Sequence, residues 1–234
     1  MYKNEFDNYL KQNKKFKSYM FYGQSMFLVE QYSLAIAQSF GENDEIEKLY
    51  FEEYNFKYAK DKLLQSSLFS SNNILLIKVE KKLPKKEVDT LIEACNANPD
   101  STLIFACLGD GDFKTMESSF SLKTNSVAVR FFQPTDTEAI RFLEYEAKLL
   151  EMQYEISALN HLYFMHKNDL ALCVNDLKKL AILDQLITVN LVDANCFGIG
   201  VINFEDFLHD LISGKDVGDD LSLILEEGMN EIFL

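Results

Sequence analysis

The segment Gly23-Gln24-Ser25-Met26-Phe27-Leu28 is the place where this chain could hold a nucleotide, because its glycine follows an apolar strand pattern and precedes a helical one. A working phosphate loop needs closely spaced glycines whose backbone N–H groups cradle the phosphates. It also needs a lysine for the terminal phosphates and a Ser or Thr for magnesium. Here no second glycine and no lysine follow, and Met26, Phe27 and Leu28 fill the space with apolar bulk. A strand and a helix are therefore expected without the phosphate site, and with no cofactor. No tandem acidic pair follows a buried strand to hold magnesium, since Ile77 leads into Lys78-Val79-Glu80. Gly109-Asp110-Gly111-Asp112 has the look of a calcium loop, but the remaining ligands are missing and Asp-Gly is ordinary turn chemistry.

The other reactive side chains are scattered. The arginines Arg130 and Arg141 read either as an arginine finger or as structural ion pairs and solvated ends. His161, His166 and His209 support no Ser-His-Asp or Cys-His constellation, and the first two, sharing one helical region, are expected on its surface. Cys95, Cys107, Cys173 and Cys196 lie far apart inside apolar patterns, which predicts buried thiols and no metal site. The sequence nominates no catalytic residue. Its one basic cluster, Lys78, Lys81, Lys82, Lys85 and Lys86, reads as a solvated strand-to-helix loop.

Composition narrows the class. The chain has 234 residues, 47% hydrophobic and 26% charged, enough for one large core or two modest ones. With 23 Lys and Arg against 37 Asp and Glu, the net charge of −14 opposes a protein that grips nucleic acid by itself over a broad surface. No apolar run approaches the roughly 20 residues of a membrane span, and the N-terminus is too polar for a signal peptide, so no membrane and a cytoplasmic home are expected.

The elements that must position these residues alternate. A helix is predicted over residues 2–13, then strands at Tyr19–Tyr22, Leu49–Phe51, Ile74–Val79, Thr102–Cys107 and Val127–Phe131. Helices are predicted between them at 27–40, 56–65, 84–96 and 113–116. Such alternation implies a parallel, doubly wound α/β sheet. After Pro134 the strands vanish. Helices are predicted from Thr135 to Glu151, over 157–166 and 169–184, from about Asn190, and over 204–212 and 221–227. The expected organisation is an α/β domain over 1–133, a small helical domain over 134–200, and the start of a further helical domain over 201–234. The apolar Ile232-Phe233-Leu234 suggests a fragment whose natural sequence continues.

Leu68 and Phe69 stand between Ser66-Ser67 and Ser70-Ser71, where a helix ends and the turn to a buried strand must begin. An apolar pair on a polar connection is either a plug for the flank of the sheet or a projection meant for another protein.

The ordered segments FYGQSMFLVEQ, LFSSNNILLIKV, KLPKKE, PTDTEAIRFL and NDLALCVNDLKKLA resemble the delta subunit of the bacterial DNA polymerase III clamp loader over most of the chain. The resemblance implies an AAA+-like domain that has lost nucleotide binding, a helical lid and the beginning of a collar. It also implies a non-catalytic role within the polymerase holoenzyme. Leu68 and Phe69 would then be an anchor docked in a hydrophobic pocket of the ring-shaped sliding clamp (beta subunit), opening it for loading on primed DNA. The other implied partners are the gamma/tau and delta-prime subunits, with primed DNA met only within the assembled loader. A delta-prime-like subunit is disfavoured by the absence of a cysteine-rich zinc module and a Ser-Arg-Cys finger. An active AAA+ ATPase is disfavoured by the Gly23 segment.

Overall fold

A computed structural model describes residues 1–42, 45–65, 72–109, 111–196, 211–215 and 217–218. The chain separates into two compact units, Met1–Gln133 and Pro134–Leu234.

In the first unit, β1 (Ser18–Gly23), β2 (Ile46–Tyr50), β3 (Asn73–Val79), β4 (Ser101–Cys107) and β5 (Ser126–Phe131) form one sheet in the order β2-β3-β4-β1-β5. Every pairing is parallel. The helices between and beside the strands are α1 (Lys3–Lys11), α2 (Met26–Gln38), α3 (Phe56–Leu64), α4 (Lys85–Ala97) and α5 (Lys114–Glu117). This is the doubly wound α/β architecture that the alternating pattern predicts.

The near-continuous apolar runs of the central strands have a physical reason: both faces of a parallel sheet are covered, so both sets of alternating side chains must be apolar. Leu75, Ile77, Leu103 and Phe105 pack with Leu63 of α3 and with Leu91 and Ile92 of α4. Their neighbours Ile74, Leu76, Ile104, Phe21 and Phe131 pack with Phe6 of α1 and with Leu28 and Ile36 of α2. Deleting one of these side chains costs about 2–5 kcal/mol through lost burial and the cavity left behind.

One strand begins earlier than its apolar residues suggest. β2 starts at Ile46, and Phe51 leaves it with φ 43° in a 3-10 turn, Phe51–Glu53. Glu53 holds this turn by accepting the Tyr50 N–H at 3.0 Å. The mixed stretch Glu47-Lys48 hid the strand, because β2 lies at the end of the sheet order and its half-exposed positions tolerate polar residues.

The second unit is helical as described: α6 (Asp136–Leu149), α7 (Ile156–Met165), α8 (Leu170–Ala181) and α9 (Val189–Asn195). Thr135 caps α6 in a reciprocal box, its Oγ1 accepting the Glu138 N–H at 3.4 Å while Glu138 accepts the Thr135 N–H at 3.0 Å. Such a cap is worth about 1 kcal/mol. Asp169 caps α8 by accepting the N–H groups of Ala171 and Leu172. Leu143, Leu159, Leu162, Leu177 and Leu180 are buried in the unit. Apart from 211–215 and 217–218, the stretch 201–234 lies outside the described residues.

Histidine placement corrects the sequence reading. His166 is not a surface residue: it is 3% exposed, and its Nε2 lies 2.7 Å from a carboxylate oxygen of the equally buried Asp176 on α8. Lys179 completes the cluster by pairing with Asp176. Burial raises the Asp176 carboxyl, but hydrogen bonds from Lys179 and His166 outweigh it and hold the group below the usual aspartate range. A buried charge is tolerated here because it is paired. His161 is partly exposed and meets Asp193 at 2.6 Å. His209 lies outside the described residues.

Candidate functional site

Leu68 and Phe69 fall in the stretch 66–71, which lies outside the described residues. The structure does describe what holds its two ends. On one side α3 is anchored by the fully buried Ala59 and Leu63, and on the other β3 begins at Asn73 in the middle of the sheet.

A helix C-terminus leaves carbonyl groups without intrahelical partners, and those near a core must be satisfied by other means. At the end of α3 this is done by side chains from the α4–β4 turn and from the starts of β3 and β4. Asn98 Nδ2 donates to the carbonyls of Leu63 at 3.0 Å and Gln65 at 3.1 Å. Ser101 Oγ donates to Leu63 O at 2.7 Å, and Asn73 Nδ2 donates to Lys62 O at 2.6 Å and to Ser101 Oγ at 3.0 Å. Asn73, Asn98 and Ser101 are all buried. Lys17 backs the frame, its ammonium donating to Asn98 O at 3.0 Å.

A hydrogen-bonded clip thus fixes the backbone on both sides of the stretch 66–71, at Lys62–Gln65 before it and at Asn73 after it. Sequence reasoning missed this clip. The available signal was Asn73 directly before the apolar run Ile74–Ile77 and Ser101 at the head of the strand pattern Thr102–Cys107, where β-propensity alone gives no reason for either.

The Gly23 segment is built for the sheet. Gly23 has φ +139°, and a Cβ there would lie 1.9 Å from Phe131 O, so glycine is required by the close approach of β1 to β5. The Gln24 N–H, which a phosphate loop would aim at its ligand, donates to Phe131 O at 2.8 Å. Ser25 serves as the N-cap of α2. Beside these residues is a cleft of about 230 Å³ at the carboxyl ends of β1, β4 and β5, lined among others by Gln24, Asp112, Lys114 and Arg130. Such a position, where the strand order reverses, is where ligands bind in open α/β sheets. Here Met26-Phe27-Leu28 puts no cation on the first turn of α2.

The remaining expectations resolve simply. Asp112 Oδ1 accepts the Lys114 N–H at 3.2 Å, an ordinary turn, while Asp110 lies outside the described residues. The Arg130 guanidinium sits over the Phe132 ring at 5.1 Å, and Arg141 is exposed on α6. Lys78 pairs with Glu30 and Lys85 with Asp89, whereas Lys81, Lys82 and Lys86 are exposed around the loop after β3. All four cysteines are buried thiols. Burial pushes the Cys173 and Cys196 thiols up to about 12, with the nearby acids adding to the shift. None of them is a thiolate nucleophile at neutral pH. Among the described residues no group of three or more His, Cys, Asp or Glu side chains is arranged to hold a metal ion. No helix among them is long and apolar enough to cross a membrane.

Comparison with known proteins agrees with this geometry. Residues 19–132 match the family model for the DNA polymerase III delta subunit, and residues 135–194 match a family model described as a middle domain. Two Helicobacter pylori proteins, from strains J99 and 26695, are each 27% identical to this chain, covering 99% of it and 73% of their own length. Among solved structures, the Bacillus subtilis DNA clamp loader delta protein superposes with a TM-score of 0.62 at 15% identity, over 97% of this chain and 72% of that one. The Thermotoga maritima RuvB Holliday junction branch migration motor superposes with a TM-score of 0.51 at 13% identity, over 95% and 78%. At such identities these likenesses speak for the fold, which is that of an AAA+-like α/β sheet with a helical C-terminal part.

Proposed function

We propose that this delta-subunit-like protein is a clamp-loader subunit that binds the ring-shaped sliding clamp through Leu68 and Phe69 and helps open it for loading on primed DNA. The observation that carries the reading is the delta-subunit match over 19–132, which contains both residues and both ends of their clip. A short segment with fixed ends offers its side chains to a partner at a smaller entropic cost than a free tail. Two adjacent apolar side chains on such a segment have the character of an anchor for a hydrophobic pocket. In this reading the subunit spends binding energy, not ATP. It works in the cytoplasm beside the gamma/tau and delta-prime subunits, with residues 134–200 as the lid and 201–234 as the start of the collar. A clamp opens only as far as the subunit binds the open ring more tightly than the closed one.

An ATP-driven motor is the reading that the RuvB likeness invites. The Gly23 segment opposes it, because the Gln24 N–H is already spent on Phe131 and the first turn of α2 offers no lysine. The test is a pull-down of recombinant sliding clamp from the same organism, with and without ATP. Retention of the clamp that is indifferent to ATP supports the clamp-binding reading. Failure to retain it in either condition overturns that reading.

A further inference from the structure

Almost all of the chain's net charge sits in the second unit: residues 134–234 hold 6 Lys and Arg against 19 Asp and Glu, whereas residues 1–133 hold 17 against 18. Within that unit the turns after α6 and α8 are tied together. The Ile187 N–H donates to Gln153 O and the Glu155 N–H donates to Ile187 O, both at 2.9 Å.

Between the two turns is a recess of about 170 Å³, lined among others by Glu151, Gln153, Asp184, Gln185 and Leu186. Both acids follow a helix C-terminus in the left-handed conformation, Glu151 at φ 56° and Asp184 at φ 49°. Helix C-termini are themselves partially negative, so α6 and α8 add to these carboxylates rather than offset them. No lysine or arginine is among the described residues lining the recess. Of the lysines in the last turn of α8, Lys179 is taken by Asp176 and Lys178 lies beside Glu146.

Leu186 lines this acidic recess, and Leu149 and Ile182 stand next in sequence to its lining residues Leu150 and Ala181. Ile182 is 83% exposed, Leu149 60% and Leu186 48%, although a folded unit gains by burying such side chains. We propose that this face docks a basic amphipathic helix from another protein. Its apolar side lies on Leu149, Ile182 and Leu186, and one Lys or Arg reaches into the recess between Glu151 and Asp184. The apolar surface supplies affinity, and the charge decides the occupant: Lys148 lies in the last turn of α6 but does not line the recess, so an acidic or neutral helix would leave Glu151 and Asp184 without a counter-charge inside it.

The test uses the whole chain and a fluorescein-labelled Leu/Lys amphipathic helix of about five turns, with a Leu/Glu helix of the same pattern as its counterpart, read by anisotropy. The Leu/Lys helix is expected to bind and to weaken as salt rises. Glu151→Gln/Asp184→Asn and Ile182→Ser should each weaken it by about tenfold or more, while Glu93→Gln/Glu144→Gln, which removes the same charge elsewhere, should change it by less than about twofold. The proposal is overturned if the Leu/Lys helix does not bind, if the Leu/Glu helix binds equally well, or if the control pair weakens binding as much as the recess pair. It is also overturned if Ile182→Ser leaves binding unchanged. If light scattering shows a dimer that Ile182→Ser dissolves, the face belongs to a second copy of this chain instead.

Discussion

Asn98 Nδ2 reaches across 35 residues of sequence to donate to the carbonyl of Leu63 at 3.0 Å, closing the C-terminus of α3 with a side chain from the α4–β4 turn. The same nitrogen also takes the Gln65 carbonyl. One amide therefore fixes the backbone at the end of α3, three residues ahead of Leu68.

Asn98→Ala removes two hydrogen bonds, leaving the Leu63 carbonyl to Ser101 Oγ alone and the Gln65 carbonyl without its side-chain donor, and should lower stability by about 1–3 kcal/mol. Thermal melting measures the loss, and amide exchange at Leu63–Gln65 should quicken with it. A variant that melts within about 0.5 kcal/mol of the native chain would mean that the clip is incidental.

Gly23→Ala should cost at least about 3 kcal/mol, since it combines a backbone conformation that side chains avoid with a collision against a backbone oxygen. Relief would require β1 and β5 to part. In the native chain, calorimetry with ATP and magnesium should show no micromolar binding, because the Gln24 amide is spent on Phe131 and the first turn of α2 carries no lysine. Saturable micromolar binding would contradict this assignment of the Gly23 segment.

The His166–Asp176 pair makes the second unit acid-sensitive. Asp176 binds its proton more weakly in the folded protein than in the unfolded chain. Its contribution is therefore complete above the ordinary aspartate range near 4 and disappears as pH falls through the lower, folded-state value. Asp176→Asn should flatten that loss between about pH 5 and pH 2, while lowering stability at neutral pH by removing the carboxylate that pairs with Lys179 and hydrogen-bonds His166. Melting of both proteins across this range is the measurement, and parallel curves would refute it.

Much of this was legible in the sequence, for reasons that differ by element. β3 and β4 announce themselves because strands covered on both faces must be apolar throughout. The start of α6 is readable because Thr135 and Glu138 carry a reciprocal cap in three residues of spacing. β2 was misjudged at its beginning because an end strand can carry Glu47 and Lys48. His166 was misplaced because a buried hydrogen bond depends on a partner ten residues away that no periodicity indicates. The clip shows in the sequence only as polar residues at strand starts, because Asn98 and Leu63 meet only once the sheet has formed. That the Gly23 segment lacks the residues of a phosphate loop was, by contrast, plain, since that motif needs particular residues at fixed spacing.

The central claim, that Leu68 and Phe69 form an anchor for the clamp, is tested most directly by pairing melting curves with surface-plasmon binding to immobilised clamp for the native chain, Leu68→Ala, Phe69→Ala and the double variant. A projecting anchor predicts stability within about 0.5 kcal/mol of native and a loss of clamp binding of about 2–4 kcal/mol for Phe69→Ala, which is about thirtyfold or more. Leu68→Ala should be milder and only partly additive, because neighbours in one pocket couple. A Phe69→Ala protein that melts normally and binds the clamp at native strength would contradict the account, as would one that loses about 3–5 kcal/mol of stability, which is the behaviour of a core plug.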